Sequence, residues 1–390
     1  MPLWGRLVLV FVCVAFVAIA VYFMPLIAKR IAYAWNIGAE RAKVEVAKKF
    51  LNDNPLSEQR IPWVAQSVAP SVVGIQSISA SLPLPSLPDR NGYSIDRRDI
   101  IGTDFGSGII VDAKEGYILT NYHVIENAYI ISVRLSDGRV FDADIIGGDR
   151  YVDFAVLRIE PEDLEAIDWG DSRQVVVGEQ VIAIGSPYGL QQTVTSGIIS
   201  ATERYPVLPT HIPAHNIGQQ TRFIPYLQTD AAINPDNSGG ALVDINGKLI
   251  GICTAIISAE HGGNSGIGFA IPSFTAKRIY DDLVMHGTVR HGWIGVELEK
   301  VTSFEARQME QKKPMGAVVR NLRRRSPARD AGIQRNDIIL RWGETEISDP
   351  LHLIHLVTFT NPGTKETVEV FRKGELLMLE ITVGTRPTDL

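Results

Sequence analysis

From Asp104 to Pro272 the chain is a succession of short apolar runs, most of roughly four to eight residues, each cut off by Gly, Asp or Asn. "GSGIIVD", "ISVRL", "FAVLRI", "QVIAIGS", "TVTSGIISA" and "GIGFAIP" are examples, with few helical periods between them. Strands this short and this numerous cannot bury their apolar sides singly, so they must close into barrels or pack as a sandwich. "DINGK" at 244–248 predicts a hairpin in which Asn246 and Gly247 supply left-handed turn residues.

The flanks read differently. Residues 7–28, "LVLVFVCVAFVAIAVYFMPLIA", carry no charge, and as a helix they cover about 33 Å, enough to span a bilayer. A cleaved signal peptide is the rival, since Ala18-Ile19-Ala20 resembles a processing site, but the apolar run continues past it. Residues 29–62 predict a helical stalk or linker, and the Pro-rich stretch 82–104 a loop. A short helix, "SFTAKRIYDDLVMHG", leads from the β-rich unit (63–280) to a smaller αβ domain (285–390). A net charge of −6 argues against nucleic acid as the main partner. The two cysteines, Cys13 and Cys253, both lie in apolar runs and read as buried residues without a disulfide.

Three residues of the β-rich unit carry chemistry: His123 at the end of "YILTNYH", Asp153 just before "FAVLRI", and Ser238 in "NPDNSGGAL". A serine hydroxyl is a weak nucleophile until an imidazole takes its proton, and the imidazole needs a carboxylate to fix its tautomer. A carboxylate entering an apolar strand needs a partner in turn. The chain order His, Asp, Ser is one of the known orders in which such groups converge.

Together "GSGIIVDAKEGYILTNYHVI", "VDFAVLRI", "SGIISATER", "LQTDAAINPDNSGGALVDINGKLIGI" and "GIGFAIP" resemble the HtrA family of trypsin-like serine proteases. An apolar N-terminus and one C-terminal PDZ-like domain make the chain similar to the membrane-anchored DegS type. The resemblance implies a mainly β fold: a chymotrypsin-like double β-barrel of six strands each, followed by an αβ PDZ-like domain and preceded by one transmembrane helix (1–28). It further implies a homotrimer, anchored in the inner membrane with its domains in the periplasm, that cleaves misfolded or regulatory polypeptides without metal or cofactor. His123 is then the general base, Asp153 its orienter and Ser238 the nucleophile. The backbone N–H groups of Asp236 and Ser238 form the oxyanion hole, and Ile267, Gly268 and Phe269 the substrate-binding wall.

Asp236 departs from the family, whose motif carries glycine there, and this predicts a slow or conditionally active centre. Residues 204–225 correspond to the family's activation loop, with Arg222 a candidate contact to the PDZ-like domain. In that domain "WIGV", Trp293, Ile294, Gly295 and Val296, matches the segment that presents N–H groups to a peptide C-terminus, which adds as a strand. Arg323, Arg324 and Arg325 read as a solvated turn in preference to the rival reading, a carboxylate-binding patch. His211 with His215, or His352 with His355, have metal-like spacings, but no Cys or acidic cluster supports a metal site.

Overall fold

The computed structural model describes residues 24, 38–39, 41–51, 53, 60–80, 101–186, 192–205, 224–234, 237–258 and 264–387. The apolar run 7–28 lies outside them apart from Met24, and among the described residues no helix is long and apolar enough to cross a membrane.

The β-rich unit forms two sheets. The first contains β1 (Val72–Ala80), β2 (Ile101–Asp112), β3 (Tyr117–Thr120), β4 (Ala128–Arg134), β5 (Val140–Asp142), β6 (Asp144–Asp149) and β7 (Phe154–Arg158), in the order β5-β4-β1-β2-β3-β7-β6. That is seven strands where six were expected. The extra one arises because β5 and β6 are a single run that changes partner after Ala143, whose N–H still donates to Ile131 O of β4 at 2.9 Å before Asp144 pairs with β7. The bent run pairs with β4 at one end and β7 at the other, so it joins the two edges of the sheet. The second sheet is a closed six-stranded barrel of β8 (Gln180–Gly185), β9 (Thr193–Arg204), β10 (Tyr226–Thr229), β11 (Ala241–Asp244), β12 (Leu249–Ser258) and β13 (Asn264–Pro272).

The hairpin at 244–248 forms, but only Gly247 takes a positive φ, at 78°. Asp244 replaces the second left-handed residue: its Oδ1 accepts the N–H groups of Asn246 (2.8 Å) and Lys248 (2.9 Å) and closes the turn from one side.

The predicted stalk is partly folded back. Helical residues 41–51 (α1) bury Val44, Ala47 and Leu51, and Phe50 stacks on Trp63 of α2 (Arg60–Val68) at 4.6 Å between ring centroids. Buried Arg60 fastens both helices to the hairpin, donating to Ile245 O (3.0 Å), Asn246 Oδ1 (2.9 Å) and Leu51 O (3.3 Å). A four-residue helix, α3 (Tyr122–Ile125), follows β3. α4 (Ser273–His286) ends on Gly287, whose φ of 70° gives a left-handed cap, and it packs on β6, β7 and β12, spanning both sheets.

The C-terminal domain has a core of its own, built from Val319, Ile339, Leu353, Val368 and Ile381 among others. Its sheet runs β15 (Val296–Lys300), β16 (Ala317–Leu322), β17 (Ile338–Trp342), β19 (Lys365–Arg372), β20 (Glu375–Thr382), with β18 (Thr345–Glu346) on β17. A separate pair joins β14 (Gly292–Trp293) and β21 (Gly384–Thr385). Helices α5 (Ser303–Gln308), α6 (Pro327–Asp330) and α7 (Pro350–Phe359) cover it.

One buried pair ties this domain to the first sheet. His291 Nε2 meets Asp149 Oδ2 at 2.6 Å, with side chains 6% and 2% exposed. Tyr151 N donates to the other carboxylate oxygen at 2.8 Å, and Tyr151 and Phe359 both meet the imidazole edge-on. Removing one partner leaves a buried polar group unanswered, which costs about 3 kcal/mol. Asp149→Ala is therefore expected to lower urea stability by about that amount. Adding His291→Ala should cost less than the sum of the two single changes.

Candidate active site

Each predicted triad residue sits where an element ends. β3 delivers Asn121 and then His123, on the one-turn helix α3. The β6–β7 turn delivers Asp153 in a left-handed conformation, φ 60°, which aspartate tolerates better than most side chains. The turn before β11 delivers Ser238. Gly239 follows with φ 84°, and a Cβ there would collide with Ser107 O and crowd Thr120 Oγ1. The second glycine is equally constrained, since a Cβ on Gly240 would press on Ile184 O. The first glycine is thus a requirement of close approach between the two sheets, and the second of close approach to β8 within the barrel.

Ser107 of β2 couples those sheets. Its N–H donates to Ser238 O (2.8 Å), its hydroxyl oxygen accepts the Ser186 N–H (2.8 Å), and its carbonyl accepts the Thr120 hydroxyl (2.8 Å). Gly239 N–H donates to Cys253 O at 2.8 Å and Cys253 N–H to Gly240 O at 2.9 Å, which fixes the serine turn to β12. Burial pushes the Cys253 thiol up to about 12, so it stays neutral.

The Asp153 carboxylate is almost fully enclosed and its acceptors are filled. Oδ1 takes the His123 main-chain N–H at 2.9 Å, while Oδ2 takes His123 Nδ1 at 2.7 Å and the Thr254 hydroxyl at 2.8 Å. The Asp153 carbonyl accepts Asn121 Nδ2 at 2.8 Å. With Nδ1 donating to the carboxylate, Nε2 of His123 is left as the base, on a side chain 50% exposed. Burial opposes protonation of this ring, but the hydrogen bond and charge of Asp153, with Glu126 and Asp104 nearby, outweigh it. The His123 pKa stands above its ordinary 6.5.

The serine is the part that is not ready. Ser238 is 3% exposed and its hydroxyl donates to Thr254 O at 2.9 Å. No hydrogen bond joins it to the His123 ring among the described residues. The imidazole–carboxylate pair is assembled, and the Ser238 hydroxyl is engaged at Thr254 O instead. Thr254 holds both halves, through its hydroxyl to Asp153 and its carbonyl to Ser238. Sequence reasoning missed it; the signal was a lone hydroxyl in the apolar run "GICTAII".

Asp236 lies outside the described residues, as do most of 204–225 and Arg222. Of the substrate wall, Phe269 has its side chain buried. It is 2% exposed and meets Tyr226 edge-on at the outer face of the barrel, in the core shared with the first sheet and α2, on the same side of β13 as Ile271. Gly268 packs against Ile233, and Ile267 remains half-buried beside the core.

Trp293, Ile294, Gly295 and Val296 do come together, along a cleft of about 270 Å³ between β15 and α7 that Leu298, Leu353, Ile354 and Val357 also line. Arg323, Arg324 and Arg325 are exposed in the turn before α6, and Arg323 reaches the cleft. Among the described residues no three His, Cys or acidic side chains gather as a metal set. His352 sits at 3.2 Å from Ser348 N and His355 packs on Phe359, while His211 and His215 lie outside the described residues.

A family model for the trypsin-like peptidase domain matches residues 106–252, and one for the PDZ domain matches 292–383. The periplasmic serine endoprotease DegP of Salmonella typhimurium is 42% identical over 382 residues, covering 90% of this chain and 78% of that protein. A probable periplasmic serine endoprotease, DegP-like, of Chlamydia trachomatis is 41% identical over 284 residues, or 73% of this chain and 54% of its own. The chain thus spans little more than half the length of several curated relatives. Among solved structures, the HtrA-type protease AlgW with tripeptide is 38% identical with a TM-score of 0.68, covering 83% of this chain and 96% of that one. The serine endoprotease from Yersinia pestis gives 34% and 0.58, covering 85% and 99%.

Two measurements check the geometry. In an NMR titration His123 should titrate above 6.5. Asp153→Asn removes the largest of the groups that raise it and leaves burial, which lowers it, so the midpoint should fall. Since only the neutral ring is a base, any hydrolysis should switch on with rising pH through the same midpoint. That substitution should lower kcat by about 10⁴-fold, because Asn favours the wrong tautomer.

Proposed function

The chain belongs to the HtrA family of trypsin-like serine proteases bearing a PDZ domain, and on that footing we propose that it is a serine endopeptidase regulated by peptides at that domain. The observation that carries the proposal is the Asp153–His123 pair, joined at 2.7 Å, with Ser238 and Asp153 both held by Thr254. In the cycle, Ser238 turns from Thr254 O toward His123 Nε2, which takes its proton as the hydroxyl oxygen attacks the scissile carbonyl. Asp153 holds the imidazolium until the proton passes to the leaving amine, and water then releases the acyl group by the same route. The N–H groups of Ser238 and Asp236 receive the oxyanion.

The finer reading places the two domains in the periplasm, held by residues 7–28 as a single-pass anchor in the inner membrane. The protein assembles as a homotrimer and acts in protein quality control or envelope stress signalling, on misfolded or regulatory polypeptides. Free C-termini add as a strand at Trp293–Val296, and Ile267 and Gly268 border the substrate. The periplasmic relatives and the peptide-bound AlgW structures support this reading.

A proteolytically silent peptide-binding module is the rival that the buried, diverted serine favours. A fluorophosphonate probe separates them: labelling of wild type but not of Ser238→Ala supports the protease, and no labelling even with peptide present supports the rival. Restoring glycine at 236 should raise basal peptide cleavage tenfold or more, up to several hundredfold, as an oxyanion donor settles into place. Unchanged cleavage would count against a role for Asp236. For the anchor, the full chain should stay with membranes through an alkaline carbonate wash, and a soluble protein starting near Val21 would show a cleaved signal instead.

A further inference from the structure

β15 is an edge strand, paired with β16 on one side and flanked by the cleft and α7 on the other. Its side chains alternate: Val296 and Leu298 pack toward the C-terminal core, while Glu297 and Glu299 stand exposed on the opposite face. A peptide strand added to this edge alternates in the same way. If its last side chain enters the apolar cleft beside Leu353 and Val357, the one before it emerges next to Glu297.

The charges along that wall are unequally answered. Glu299 is engaged by Arg320 Nε at 2.8 Å. Glu297 has only a neutral partner, the Asn321 amide at 3.3 Å, and no cation pairs with it among the described residues. One step toward the carboxylate end, Arg323 stands opposite Gly295, donating its main-chain N–H to Gly295 O at 2.9 Å, and no acid pairs with its exposed side chain among the described residues. From Gly295 along β15 the wall therefore presents a cation and then an anion. The complement is a peptide that presents its terminal carboxylate and then a cationic side chain.

We propose that Glu297 is a specificity-determining residue that selects peptides with Lys or Arg at the penultimate position, before an apolar last residue. This rests on the reading of the cleft as a site for free C-termini. Glu297 pairs across the strand edge with the penultimate cation, and Arg323 adds to the attraction for the carboxylate.

The test uses the full chain in detergent micelles and fluorescent peptides identical but for a penultimate Lys, Gln or Glu. By anisotropy at low salt, Lys should bind about threefold tighter than Gln, and Gln about threefold tighter than Glu, the scale of a cross-strand charge pair. Glu297→Gln should bring the three to parity, and Glu297→Lys should invert the order. Parity in wild type, or a Lys preference that survives Glu297→Gln, overturns the proposal. An amidated copy of the Gln peptide serves as reference. If it binds as well as the free acid, the reading of the cleft itself fails, and the proposal with it.

Discussion

A carboxylate shut away from water has to have its acceptors filled, and at Asp153 that demand organises the site. Three donors meet it, drawn from two places: the N–H and ring of His123 on α3, and the hydroxyl of Thr254 on β12. The first sheet supplies acid and base, and the closed barrel supplies the third donor. Docking the sheets and satisfying the charge are therefore one event. Leaving any of these partners out would cost more than the pair itself contributes, which is why the geometry is fixed before any substrate arrives. The serine carries no charge and has no such compulsion. Its hydroxyl is satisfied by the Thr254 carbonyl.

What could be read from the residues follows the same division. His123, Asp153 and Ser238 were legible because their chemistry demands one another and because Gly239 and Gly240 mark a close approach of backbones. Thr254 was not, since one hydroxyl in an apolar strand is the ordinary signature of a satisfied core residue. The orientation of Ser238 left no mark either, because a rotamer is settled by competing acceptors rather than by residue type. The burial of the Phe269 side chain was not legible from the run "GIGFAIP", because the pattern does not say which side of the strand meets the first sheet.

The sheets themselves were legible from short runs and turn residues, with two exceptions of local origin. Nothing in "VFDADIIGG" announces that Ala143 breaks one strand into two. The hairpin at 244–248 was placed correctly, but Asp244 rather than Asn246 does the work of the second turn residue. The fold-back of α1 depends on contacts far along the chain, Arg41 with Asp163 and Arg60 with the hairpin, which no local pattern displays. The link between the domains was invisible for the same reason, since Asp149 and His291 are 142 positions apart.

The β6–β7 turn begins at the carboxylate that docks the C-terminal domain and ends at the one that orients the His123 imidazole. Val152 between them is fully buried, and Tyr151 N is fixed to Asp149. Its length is therefore a spacer of constant gauge. A single inserted or deleted residue would throw one carboxylate out of register with its histidine, however conservative the residue itself. Variation in this protein's lineage should then appear as exchanges at Arg150, which is exposed, and almost never as gaps between 149 and 153.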